Sequence, residues 1–307
     1  MLWLIHGYVA WRTISAMGLS LFYSFLVYIA VFILSLLPVV PIVFRMSGNE
    51  SKIIDKISFL GYTSLGFFTL SFIFLFTKDF IIQFISIISN LVNIEQPVDN
   101  SKRDFIKKSI TLCIIGISGT ATGLGFYNSR KGPAVIKHDI FLESLPESFN
   151  NFTIAQISDL HVGPTIKRPY VENVLDKISI HNPDLIAVTG DLVDGSVQHL
   201  SPELDPLRDM IAPFGTYFVT GNHEYYSGVD LWLDETDRLG MKNLINSNEL
   251  ISRASDQIAI AGITDFNAHQ IKPIHRSDPG LALRSVPDNI TKIVLAQQPN
   301  SIHSVHE

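Results

Sequence analysis

The sequence predicts a multi-pass α-helical membrane region followed by an α/β domain. Three observations lead there: charge-free apolar runs recur in the first 132 residues, the net charge changes sign after them, and the rest of the chain repeats a strand, polar loop and helix. A length of 307 residues leaves room for two units. Only 17% of the residues are charged, against about 25% in an ordinary soluble domain. That average hides two unlike parts. Residues 1–132 carry eleven Lys/Arg against six Asp/Glu, and the remainder carries twelve against 23. The apolar content excludes a disordered chain, and the single cysteine, Cys113, excludes a disulfide scaffold. A strongly acidic second part is a poor partner for nucleic acid, so none is expected, and it favours cations.

In the first part, spans are expected at about 19–44, 57–77 and 109–127, each near the roughly 20 apolar residues that cross a bilayer. Pro38 and Pro41 are expected to kink the end of the first span or mark its exit. Gly116, Gly119, Gly123 and Gly125 suit close helix packing in the third. The stretch from Phe80 to Ile94, closed by Glu95 and Pro97, reads as too short to span and is expected to be an interfacial amphipathic helix. Met1 to Trp11 is apolar but short, and is expected to be the tail of a further transmembrane helix whose beginning is absent. The expected location is the cell membrane, with the lipid bilayer as a partner. Arg12 and the 78–108 loop balance the basic residues at the other ends of the spans, so topology stays open, leaning to an extracytoplasmic second domain. A transporter finds little support, because the spans show no internal repeat and no intramembrane charge pair.

The second domain, residues 133–307, opens with a strand over Phe152–Ser158 that runs into Asp159-Leu160-His161. Helical spacing follows over 168–180, stopped by His181-Asn182-Pro183. Leu185–Thr189 is a short buried strand ending at Gly190-Asp191-Leu192-Val193-Asp194. A helix over Pro202–Ile211 leads to a strand over Thr216–Thr220, which ends at Gly221-Asn222-His223-Glu224. A helix over 229–239 closes at Gly240, and later strands are expected at Gln257–Ile263 and Lys292–Ala296. Ligands of open α/β sheets sit beyond the carboxyl ends of the strands, so three clusters of Asp, His and Asn are expected to converge on one sheet edge.

Carboxylate, imidazole and amide oxygen together suit divalent metal ions of intermediate softness, such as Mn, Fe or Zn. A bridging carboxylate can hold two ions that clamp a phosphate and lower the pKa of water. His223, beside Asn222, is placed to protonate a leaving alkoxide or stabilise phosphoryl charge. Each residue alone has a plainer reading. Asp191 and Asn222 can cap turns, His223 can be a hydrogen-bonded loop histidine, Asp194 can bond within its loop, and Glu224 can be a solvated charge or the partner of a ligand. Three clusters in series, each ending a strand, favour the metal site.

Asp159-x-His161, Gly190-Asp191-x-x-Asp194 and Gly221-Asn222-His223-Glu224 together resemble the calcineurin-like metallophosphoesterase superfamily. The wording QISDLHVGP, DLIAVTGDLVDG and FVTGNHEYY resembles its membrane-attached bacterial branch over about residues 140–300. The resemblance implies a two-sheet α/β/β/α sandwich and a membrane-anchored phosphoesterase that hydrolyses a phosphomono- or diester by metal-bound hydroxide. By position, Asp159 and His161 would bind the first of two divalent metal ions, Asp191 would bridge, Asn222 would bind the second, and His223 would be catalytic. Tyr225, Tyr226 and Trp232 are candidates to shape a pocket, and attachment to the bilayer points to a lipid-linked or envelope-derived phosphoester.

Two departures stand against the pattern. In Leu295-Ala296-Gln297-Gln298-Pro299, Gln297 stands where the family has a histidine ligand, and it reads equally as a weaker oxygen ligand or as no ligand. The family's Gly-His-x-His motif is absent, and His303 and His306 lie too early to replace it. The domain is therefore expected to be incomplete at its C-terminus, with little turnover by the chain itself. These departures also support an alternative: a catalytically impaired or inactive member of the fold that acts by binding or scaffolding.

Overall fold

A computed structural model describes residues 1–92 and 99–301. The expectations for Ile94, Glu95, Pro97, His303 and His306 fall outside those residues. The chain divides into two compact units, Met1–Lys131 and Gly132–Glu307.

The described elements of the first unit are all helices. Helix α1 spans Leu2–Met17 and ends at Gly18, whose φ of 63° lets its N–H reach the Ile14 carbonyl. Helix α2 spans Leu21–Leu36, and after a turn at 37–39 the short α3 spans Val40–Met46. Pro38 falls in that turn and Pro41 in the first turn of α3, where a missing N–H costs nothing. Helix α4 spans Lys52–Leu91, opened by Ser51, whose hydroxyl accepts from the Ile54 N–H. Helix α5 spans Asn100–Arg130. Leu21–Arg45, Lys52–Leu91 and Ser101–Arg130 are long and apolar enough to cross a membrane. Val9, Ala10, Val31, Phe68 and Leu75 form the buried seam. A Cβ added at Gly61 would lie 2.7 Å from the Leu37 carbonyl carbon, so this glycine permits the closest backbone approach of α4 to the end of α2.

Two expectations are corrected here. Of the stretch expected from Phe80 to Ile94, the described part, Phe80 to Leu91, is not a separate interfacial helix, because α4 runs unbroken through it. No proline interrupts Lys52–Leu91, and the polar groups of the step Lys78-Asp79 find partners on neighbouring helices. A charge pair does form inside the helical unit: Asp79 accepts from Tyr8 and Arg12 of α1, while Lys78 lies 3.3 Å from Asp79 and donates to Thr111 of α5 at 3.0 Å. Helix α1 continues past Arg12 to Met17, with Arg12 paired to Asp79.

The second unit holds two sheets. Strands β1 (Ile154–Ile157), β2 (Leu185–Thr189), β3 (Thr216–Val219) and β4 (Lys242–Asn243) lie in that order, all parallel. Strands β5 (Ser247–Arg253), β6 (Asp256–Gly262) and β7 (Thr291–Leu295) form the other, with β5 antiparallel and β7 parallel to β6. Successive β2 side chains serve opposite layers, as strand geometry requires. Ile186 and Val188 join Phe218 in the layer against helix α6 (Arg168–His181), helix α7 (Val197–Leu204) and helix α9 (Val229–Arg238). Leu185 and Ala187 join Tyr217 and Val219 against Ile251, Ile258, Ile260 and Leu295 of the second sheet. Ala261 and Ile263 turn outward onto helix α10 (Pro279–Leu283). The order is helix, sheet, sheet, helix.

The helix expected over Pro202–Ile211 starts earlier and ends sooner. Val197–Leu204 is α-helical behind Ser196, and Asp205–Asp209 tightens to a 3-10 turn opened by Pro206, which cannot donate into a continuing α-helix.

Candidate metal centre

The three clusters stand at the carboxyl ends of β1, β2 and β3, which pair side by side: Ile157 is in register with Val188, and Val188 with Phe218. Adjacent parallel strands are about 4.8 Å apart, so the loops that leave them meet without further folding. Backbone bonds tie the first two loops together: Asp159 N–H to the Gly190 carbonyl at 3.1 Å, His161 N–H to Asp191 at 3.0 Å, and Val162 N–H to Leu192 at 2.9 Å. Val162 and Val193 then form a short parallel bridge beyond the strands.

Asp159, His161 and Asp191 all adopt left-handed backbone, with φ of 56°, 47° and 52°. Such conformations cost roughly 1–3 kcal/mol each and gather at functional sites when surrounding bonds enforce them. Gly190, at φ 78°, precedes the third. A Cβ there would fall 2.7 Å from Gly221 Cα and 2.9 Å from Gln297 Cγ, so only glycine admits the neighbouring loops.

Asp159, His161 and Asp191 offer ligand atoms that all lie within 4.8 Å of one another. His161 Nε2 is 3.8 Å from an Asp159 oxygen and 3.9 Å from Asp191 Oδ2, a spacing that leaves room between them. Asn222 is the first residue of helix α8 (Asn222–Ser227), not a free loop residue, and the next N–H, that of His223, donates to Asp191 Oδ1 at 2.9 Å. All five of the expected residues therefore gather at this edge.

Asp194 has a larger part than its loop suggested. Its Oδ2 is 3.2 Å from His161 Nδ1, and its Oδ1 bonds His223 Nδ1. One carboxylate thus meets two imidazoles at their Nδ1 atoms, so that Nε2 is the nitrogen of each ring left for a ligand or a proton. The rings stand 4.6 Å apart, edge to face. Burial works to raise the Asp194 pKa, but the hydrogen bonds from the two histidines outweigh it and hold the carboxyl below its usual range. The bond to Asp194 raises His161 in turn. Two other residues were not singled out from sequence as site groups: Asp265, 2% exposed, accepts from the Gln298 amide at 2.7 Å, and His275, whose Nδ1 lies 3.0 Å from the OH of the pocket candidate Tyr225. Neither Asp265 nor His275 stands in a recurring motif, so no spacing signal pointed to them.

Glu224 is not a solvated charge. It is 1% exposed, and its carboxylate accepts the backbone N–H groups of Asp191 at 3.0 Å, Leu192 at 2.7 Å and Gly221 at 2.7 Å. Burial pushes its pKa up to about 7 against those three bonds. Trp232 is buried in the core and donates to the Gly195 carbonyl, so it does not line a pocket, whereas Tyr226 is 67% exposed with its ring 5.6 Å from that of His223.

Residues 152–306 match the family model described as calcineurin-like phosphoesterase. A "Transmembrane protein with metallophosphoesterase domain" of Danio rerio is 30% identical over 251 residues, covering 80% of this chain and 56% of the relative. The Bos taurus protein of the same description is 34% identical over 188 residues, covering 57% of this chain and 41% of that one. An "Uncharacterized metallophosphoesterase" of Helicobacter pylori is 28% identical over 207 residues, covering 67% and 53%. The chain spans about half the length of these curated relatives. It belongs to the calcineurin-like phosphoesterase family, and its relatives include proteins described as transmembrane.

The residues present fit the divalent metals of that family. The Asp159, His161 and Asp191 group is one observation. A second is the Gln297 amide: its Nε2 donates to Asp191 Oδ2 at 3.1 Å while its Oε1 is buried without a partner. A buried acceptor left unmade costs about 1–3 kcal/mol, which a cation beside Asp191 would recover.

Proposed function

We propose that this protein is a membrane-anchored phosphoesterase that hydrolyses a phosphomono- or diester with two divalent cations. The observation that carries this reading is the meeting of Asp159, His161, Asp191, Asn222 and His223 at the ends of three adjacent parallel strands. Bound cations would neutralise phosphate charge and activate water. Asp159 and His161 would hold the first cation, Asp191 would be shared, and Asn222 would serve the second. Asp194 keeps the Nδ1 proton of His223, so that Nε2 faces outward to hold or deliver a proton at the leaving oxygen. The Tyr226 ring beside His223 offers an apolar wall to the leaving group. Three apolar helices in the same chain favour an amphiphilic, lipid-linked or envelope-derived phosphoester over a soluble one.

The test is hydrolysis of bis(p-nitrophenyl) phosphate by the full-length protein in detergent, with and without Mn²⁺. Mn²⁺-dependent turnover that His223→Asn abolishes supports the reading; metal-loaded protein that turns over no phosphoester, even when extended by a Gly-His-x-His tail, removes it. A second reading, a binding protein without turnover, is favoured by the Gln297 amide already occupying Asp191 Oδ2. It predicts Mn²⁺ binding with no hydrolysis, unchanged by Gln297→His.

A further inference from the structure

We propose that Glu224 is a positioning residue: its carboxylate fixes the spacing between the loop that carries Asp191 and the turn that carries Asn222, and so sets the cation affinity of the site. The inference rests on the metal reading above and adds a residue to it.

A glutamate at the third position of a helix commonly takes one N–H, that of the residue capping the helix. Glu224 does this with Gly221, but two of its three donors come from Asp191 and Leu192, 33 and 32 residues away. Local capping does not need them. Burying a carboxylate is costly without compensation, and among the described residues no Lys or Arg pairs with this one; the three N–H groups provide its compensation. The two loops are also in direct contact, since a Cβ on Gly221 would lie 2.6 Å from the Asp191 nitrogen. A return bond, His223 N–H to Asp191 Oδ1, closes the loop-to-loop connection from the other side. The bonds at Asp191 N–H and Gly221 N–H both end on Oε2, so a single oxygen sets the distance between the two segments.

The geometry makes glutamine a poor substitute. Its amide has one acceptor oxygen for three donors and turns an N–H₂ toward N–H groups. Glu224→Asp keeps both oxygens but shortens the reach by one methylene.

Mn²⁺ affinity, read by electron paramagnetic resonance on the full chain below the melting temperature of each variant, tests this. Supporting groups around ligands typically change metal affinity about 10–100-fold. Glu224→Gln is expected to weaken Mn²⁺ binding within that range, and Glu224→Asp less. Glu224→Gln with wild-type affinity overturns the inference, even if its melting temperature falls, because then the residue only stabilises the fold. Should Glu224→Gln fail to fold, amide exchange in the metal-free wild type decides. Slow exchange of the Asp191, Leu192 and Gly221 N–H groups as one protected set upholds the clamp, and fast exchange overturns it. Wild type that binds no Mn²⁺ overturns the phosphoesterase reading instead, and the exchange result still separates the two.

Discussion

At the scale of single residues, the site is organised by hydrogen bonds that run between loops. Asp194 shows what the motif spacing could and could not convey. Its place three residues after Asp191 was visible, but a capping role and a role on two histidines share that spacing. Only the fold brings both Nδ1 atoms to it. Asp194→Asn keeps the size but replaces one acceptor by a donor, so one of the two imidazoles loses the acceptor that fixes its tautomer. The expected result is a kcat lower by about 10²–10⁴-fold, the range of lost acid–base catalysis, with weaker Mn²⁺ binding as well. His223→Asn is expected to lower kcat alone, with Mn²⁺ affinity kept; steady-state kinetics beside a metal titration separate the two. Gly190→Ala meets Gly221 and the Gln297 side chain. It is expected to cost about 1–3 kcal/mol in stability, the usual cost of overpacking, read as a lower melting temperature. The meeting of Asp159, His161, Asp191, Asn222 and His223 at one sheet edge was legible because chemistry-bearing types ended three predicted strands. Glu224 was legible only as one of two alternatives, a solvated charge or the partner of a ligand, since a buried carboxylate held by backbone N–H groups looks, in one dimension, like any surface acid.

At the scale of elements, strands read more surely than helix ends. Leu185–Thr189 was found in full because a strand buried on both faces is a continuous apolar run bounded by Pro183 and Gly190. Strand β5, Ser247–Arg253, escaped: only Ile251 in it is fully buried, and its polar residues mask the alternation. The continuity of α4 was missed for the opposite reason. Lys78 and Asp79 look like the end of a span until Arg12, Tyr8 and Thr111 are seen to answer them. Phe218 in β3 is 0% exposed between the sheet and its helices. Phe218→Ala is expected to cost about 3–5 kcal/mol, measurable by chemical denaturation. His275 carries a pH dependence. Burial lowers its pKa below 6.5, and nearby Lys272 adds to the effect. Above pH 6.5 the imidazole is neutral in both folded and unfolded chains. As pH falls below 6.5 the unfolded chain takes the proton first, so stability is lost toward acid. Melting temperatures at pH 7.5 and 5.5 are expected to differ less in His275→Gln than in the wild type.

At the scale of the whole molecule, the composition that no single domain would have is resolved into two compact units. Among the described residues, one has three helical stretches apolar enough to cross a bilayer, and the other is a helix, sheet, sheet, helix sandwich. The acidic balance of the second has a physical reading in the carboxylates of Asp159, Asp191, Asp194, Glu224 and Asp265 gathered near one sheet edge. Several of these acids face one another at short range, and cations would relieve that repulsion. The membrane reading expects the chain to stay in the pellet after alkaline carbonate extraction and to leave it only with detergent. The central claim is that Asp191 is the shared ligand of a cation centre. A Mn²⁺ titration of the full chain and of Asp191→Asn, both checked for folding by their melting curves, tests it most directly. Folded Asp191→Asn is expected to lose at least about 100-fold in Mn²⁺ affinity, at or beyond the upper end of what supporting residues give. Equal affinity in the two proteins would contradict the account.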